Sequence, residues 1–168
     1  MRELVNNVVE WGQDRGLDKV GHEAQARYTL KETAELLDAY ADKDIDAIND
    51  AIGDILVTLL VGASNDDDIL ESVAEWIQDD KLEISGVDPS GIFGVEYALL
   101  SNKCFNLLHS KPSDLSYIKC VMQLDYIAEI INHEFNQSLS LQDCLELAYN
   151  EIKNRTGKLV NGQFIKDN

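Results

Sequence analysis

Two pairs of carboxylates dominate the chemistry open to this chain: Glu32 with Glu35, and Asp50 with Asp54. Residues three or four apart share one face of a helix, so each pair points a single way. Four carboxylates brought together, with no lysine or arginine among them, make a poor salt-bridge cluster and a good oxygen cage for Mg²⁺ or Mn²⁺. Taken alone, Glu32 and Glu35 fall away from the Leu30, Ala34, Leu37 stripe, on the side where solvated charges belong. Asp50 and Asp54 are harder to place in water. From Ile52 onward, Ile52, Ile55, Leu56, Val57, Leu59, Leu60 and Val61 leave their helix no polar face, and Asp50 and Asp54 stand in line with Val57 and Val61. An ionised carboxylate on core surface costs several kcal/mol unless a cation, a donor or a proton compensates it.

The elements that must position these acids are helices. Leu4, Val5, Val8, Val9 and Trp11 predict a first helix over Arg2 to Arg15, stopped by Gly16. A second runs from about His22 to Ala41, its apolar stripe formed by Leu30, Ala34, Leu37 and Ala41. A third is capped by Asp44 and continues to about Ala63. Gly53 costs helix propensity but admits a close neighbour, which is expected to bring the two acid pairs together. The run Ser64 to Asp68 starts a short fourth helix. The stretch from Asp79 to Phe93, with Gly86, Pro89 and Gly91, reads as an irregular connection. Val95 to His109 and Asp114 to Asn136, separated by a Ser-Lys-Pro-Ser turn, predict an antiparallel helical hairpin. Ser140 caps a last helix ending before Gly157, and Asn161-Gly162 between two short apolar pairs signals a local β-hairpin. The expected architecture is an all-α helical bundle in one domain, 1–168, elaborated over 64–137 by an additional hairpin and ending in a β-hairpin-like tail.

Fourteen Lys and Arg against thirty-one Asp and Glu set a net charge of −17, which repels nucleic-acid polymers and anionic membranes. A small anionic ligand is still accommodated where a divalent cation bridges it to the acids. Cys104, Cys120 and Cys144 are odd in number and lack metal-type spacing, so they read as reduced core thiols. No basic-then-apolar leader opens the sequence, and the longest apolar run is about nine residues where a span needs about twenty. These observations lead to the expectation of a soluble, cytoplasmic protein without a membrane partner.

The acids also carry a resemblance. Glu32-Thr33-Ala34-Glu35 is similar to the Glu-x-x-Glu of MazG-like nucleoside triphosphate pyrophosphohydrolases, and Asp54 in "NDAIGDIL" matches the final Asp of their Glu-x-x-Asp. Ala51 stands where that pattern has its Glu, and Asp50 is the neighbouring substitute, still facing Asp54 at i, i+4. The stretches "VVEWGQDRGL" and "CLELAYNEIKNRTGKLVNGQFIK" resemble phage-type members at both ends of the chain. Tyr28 and Lys31 depart from the pattern, which has a lysine and an acid there.

The resemblance implies Mg²⁺ held by Glu32, Glu35, Asp50 and Asp54, with Glu32 or Glu35 orienting a water that attacks the α-phosphate, and release of a nucleoside monophosphate and pyrophosphate. It further suggests that Lys153, Arg155 and Lys158 meet phosphates, although cations at a helix C-terminus also favour its dipole. Lys31 would restore basic charge near the phosphates. Trp11 and Gln25 would border the base, Trp11 competing with an ordinary role as a packed aromatic. Glu129 and His133 share a face but read as surface or core residues. Relatives of this kind form homodimers or dimers of dimers; the alternative is that the hairpin over Val95 to Asn136 covers the same apolar surface within one chain, which leaves the stoichiometry open. The other class of function compatible with Ala51 is a noncatalytic helical binding or assembly module that keeps the scaffold.

Overall fold

The computed structural model describes residues 1–78, 92–109, 113–160 and 163–167. Among these, seven α-helices and one two-stranded sheet follow in order: α1 (Arg2–Asp14), a 3₁₀ turn (Leu17–Val20), α2 (His22–Asp42), α3 (Ile45–Ala63), α4 (Asp67–Gln78), α5 (Phe93–His109), α6 (Asp114–Phe135), α7 (Leu141–Ile152), β1 (Gly157–Val160) and β2 (Gln163–Lys166). The all-α reading is correct. Most of the expected 79–93 connection lies outside the described residues, as do Ser110 to Pro112 of the turn before α6 and the Asn161-Gly162 pair.

Helix α3 is the axis of the bundle. Ile48, Ile52, Ile55, Leu56, Leu59 and Leu60 are fully buried, which is why the helix is apolar all round, and it packs against α1, α2, α4, α6 and α7. Its N-terminus is closed as expected: the Asp44 carboxylate accepts the Ala47 N–H at 3.1 Å, satisfying a backbone donor that has no partner within the helix. Ser140 does the same for α7, accepting the Asp143 N–H at 3.1 Å.

The apolar stripe expected for α2 is a correction. Ala34, Leu37 and Ala41 are exposed, and the buried face is Gln25, Ala26, Thr29, Thr33, Leu36 and Ala39. Polar side chains hide there because their bonding needs are met locally. The Thr29 hydroxyl donates to the Gln25 carbonyl and the Thr33 hydroxyl to the Leu30 carbonyl, at 3.0 and 2.7 Å. The Thr58 hydroxyl of α3 reaches Thr29 at 3.0 Å, so this helix pair is joined by a threonine contact as well as by packing. With the face redrawn, Glu32 lies beside Thr29, Thr33 and Leu36 at the edge of the buried surface, while Glu35 remains in water.

Helices α5 and α6 form the antiparallel hairpin. Phe93 at the start of α5 and Phe135 at the end of α6 both meet Tyr40 of α2, with ring centroids 3.5 and 5.7 Å away, and Lys103 and Glu96 of α5 both bond Gln123 of α6. The hairpin thus covers one side of α2 within the same chain. The three cysteines are free and buried; burial pushes the Cys144 thiol up to about 12, an inert neutral group at physiological pH.

Helix α7 stops at Ile152, short of the residues Lys153 to Arg155 that the sequence pattern would include. Its end is taken over by α1. The Trp11 indole N–H donates to the Ile152 carbonyl at 2.8 Å, and the Arg15 guanidinium donates to the Arg155 carbonyl through two nitrogens. The chain then enters β1, which pairs antiparallel with β2 from Gly157↔Lys166 to Val160↔Gln163. This tail lays Phe164 edge-on against Trp11 at 6.1 Å.

Candidate functional site

One cleft of about 650 Å³ gathers the predicted acids, within the size range of small-molecule sites. Glu32 and Glu35 enter it from α2, Asp50 and Asp54 from α3, and Glu151 and Arg155 from α7 and the turn after it. Trp11, Leu17, Gln25, Val57, Val61 and Phe164 make its apolar and amide wall. Tyr28, Lys31, Thr58 and Ile152 complete the lining.

The expectation that no cation stands among the acids is not met. The Lys31 ammonium donates to Glu35 at 2.5 Å and lies 3.5 Å from Glu32. Arg155 pairs with Glu151 one turn back. Lys31 is therefore engaged by carboxylates, and its hydrogen bond to Glu35 raises its own pKa.

Two cations do not neutralise five carboxylates, and the balance shows in their acidity. Burial, then the charge of Glu35, pushes the Glu32 carboxyl up to about 7. Burial, then the charge of Asp50, pushes Asp54 up to about 6. Asp50 is raised by burial and by the charge of Glu151. Each of these groups is raised above its ordinary value by loss of water and by its like-charged neighbours. Raised carboxyls converging in a cleft make it a candidate functional site.

Whether a divalent cation suits this set follows from the donors. All are hard carboxylate oxygens, the class that Mg²⁺ and Mn²⁺ prefer, and the excess negative charge is of the kind such an ion removes. The side chains are not drawn in around a common point. Among the described residues, no three Asp, Glu, His or Cys side chains stand close enough to hold a metal as placed, since Glu35 leans to Lys31 and Glu151 to Arg155. The donor chemistry fits, while Glu35 and Glu151 are turned to side-chain cations.

The remaining predicted residues divide. Trp11 lines the cleft while spending its N–H on Ile152, with the Arg15 guanidinium 4.6 Å from its ring centroid. Gln25 is buried and donates to the Leu17 carbonyl at 3.0 Å, so its amide is partly committed to holding the 3₁₀ turn. Arg155 is in the cleft. Lys153 and Lys158 are not: Lys153 is exposed and donates to Asn150 at 2.7 Å, and Lys158 is exposed on β1. Sequence reasoning missed Glu151, although its i, i+4 spacing to Arg155 was the available signal. It also missed Phe164, which only the folding-back of the tail brings to Trp11.

Residues 20–79 match the family model for the MazG nucleotide pyrophosphohydrolase domain. That segment holds α2 and α3 entire, and with them all four predicted acids. Neither the curated proteins nor the solved structures yield a match. No helix among the described residues is long and apolar enough to cross a membrane.

Proposed function

We propose, for a chain that is MazG-like over residues 20–79, the hydrolysis of nucleoside triphosphates to nucleoside monophosphate and pyrophosphate with Mg²⁺ or Mn²⁺. The observation that carries this reading is the meeting of Glu32, Glu35, Asp50 and Asp54 in one cleft with Arg155 at its rim. These four carboxylates would hold the ion. When bound, the ion neutralises phosphate charge and makes a coordinated water more acidic.

The chain's own groups account for the rest. Glu32 or Glu35, both lining the cleft, would orient the attacking water and take its proton through a carboxylate oxygen not given to the ion. The water oxygen bonds to the α-phosphorus, the bond from that phosphorus to the bridging oxygen breaks, and pyrophosphate leaves. Lys31 and Arg155 are cations already held beside the acids, and a polyphosphate entering with a divalent ion gives them anionic partners to exchange for Glu35 and Glu151. Trp11 and Phe164 offer flat apolar surface to a base. The α5–α6 hairpin covers α2 within one chain, while Val95, Leu99 and Phe105 stay exposed on α5 as the surface a homodimer or dimer of dimers would use; light scattering on a sizing column measures which holds. Pyrophosphate release from a panel of canonical and modified nucleoside triphosphates, with and without Mg²⁺, tests the activity; no release from any of them with either ion rejects it.

A thermal experiment tests the cation without turnover. Glu32 and Asp54 are raised above unfolded values near 4, so the folded chain binds their protons more tightly than the unfolded one. Their contribution to stability is fully present below about pH 4 and is lost as pH rises through about 6 to 7. At pH 8 both are ionised, and an ion present at a hundredfold its dissociation constant adds about 2.7 kcal/mol. At about 2–4 °C per kcal/mol for a chain of this size, the midpoint should rise by about 5–10 °C. At pH 5 the gain should shrink, because the acids must first lose protons. An equal shift at both pH values, or none at pH 8, contradicts the assignment.

A further inference from the structure

Helix α7 enters the site through Gly53. A methyl group on Gly53 would overlap the Cys144 carbonyl oxygen and lie 2.7 Å from the Ala148 Cβ, so the backbones of α3 and α7 touch there. Asp50 lies one turn before Gly53 on α3, and Glu151 one turn after Ala148 on α7. The close approach therefore sets these two carboxylates against each other. They share the main cleft, and they share a second groove of about 350 Å³ with Asp46, Asn49 and Leu147. Ala51, by contrast, is buried and brings no oxygen to the acids around it.

We infer that Glu151 is a cation-binding residue of this site, an α7 carboxylate that joins the four acids of α2 and α3 in the cleft. The inference rests on the proposed cation-dependent reaction and adds to it a third helix. Glu151 pairs with Arg155 one turn on. Arrival of a divalent ion with a polyphosphate would hand Glu151 to the ion and Arg155 to a phosphate, one exchange serving both charges. A surface i, i+4 pair alone adds little to the helix and nothing to cation affinity.

The two roles separate in a binding measurement on the full chain. Free Mn²⁺ is followed by electron paramagnetic resonance in the presence of a non-hydrolysable nucleoside triphosphate analogue, for the unmodified protein, Glu151→Gln and Glu146→Gln. Glu146 is an exposed acid on the same helix and lies outside the cleft, so it controls for net charge. Glu151→Gln should weaken Mn²⁺ binding by at least about 10-fold, since loss of a residue that only supports a ligand already costs about 10–100-fold, while Glu146→Gln leaves it unchanged. Circular dichroism confirms that both variants fold, as expected for exposed positions. Mn²⁺ affinity unaltered in Glu151→Gln, or reduced equally in Glu146→Gln, overturns the role of Glu151 and leaves the proposed reaction standing. No Mn²⁺ uptake by the unmodified protein overturns the proposed reaction, and this inference with it.

Discussion

Asp54→Asn should reduce pyrophosphate release by about 10²–10³-fold, corresponding to loss of several kcal/mol of charge stabilisation at the reacting phosphate. The same substitution should leave the metal-free protein no less stable at pH 8. Both halves come from one environment. Asp54 is partly buried between α2 and α7 with Asp50 and Glu151 as like-charged neighbours, and it is pushed up to about 6. Above that pH its charge is a strain on the fold, which an isosteric neutral amide removes. A residue kept for folding would behave in the opposite way, with stability falling on substitution and turnover following it. Site residues that lower stability while serving chemistry are a recurrent compromise. Steady-state turnover and a thermal melt on the same sample decide the matter; undiminished activity, or lost activity explained by a lower melting midpoint, rejects the role of Asp54.

Much of this arrangement is legible in the sequence. Helical periodicity and caps located α1 to α7 to within a few residues because each helix end carries its own local signal, such as Asp44 or Ser140. The acid pairs were legible because i, i+3 and i, i+4 spacings translate directly into a shared face. What escaped was anything decided between helices. The buried face of α2 was misjudged because Thr29 and Thr33 satisfy their hydroxyls against their own helix, so polar residue type no longer meant exposure. The pairing of Lys31 with Glu35 is an i, i+4 contact that needs no ligand, and it leaves the expected phosphate role of Lys31 open to test. The end of α7 was set by Trp11 and Arg15, more than a hundred residues away in sequence, and no local pattern announces such a partner. Gly53 was recognised as a point of close approach, but the helix that approaches is α7 and not α2, which is how Glu151 entered the cleft unseen.

Gly53→Val provides the sharpest test of that contact. The added side chain has no room: its Cβ alone would overlap the Cys144 carbonyl and press on Ala148, neither of which is the far end of a flexible side chain. Helix α7 must move off α3. Overpacking of this kind typically costs about 1–3 kcal/mol, or a fall of roughly 2–12 °C in the melting midpoint for a chain of this size. Gly53→Ala should lose less, because alanine recovers about 1 kcal/mol of helix propensity. Gly94→Ala, also within a helix but with nothing within 4 Å of its added Cβ, should instead stabilise the protein by up to about 1 kcal/mol. The two glycines thus predict opposite signs from one substitution chemistry. Because α7 carries Glu151 and leads into Arg155, displacement at Gly53 should also weaken Mn²⁺ binding at temperatures where the variant is still fully folded. A Gly53→Val protein that melts with the unmodified chain and binds Mn²⁺ as tightly would show that α7 does not seat on α3 at this glycine, and the geometry that brings Glu151 to Asp50 would fall with it.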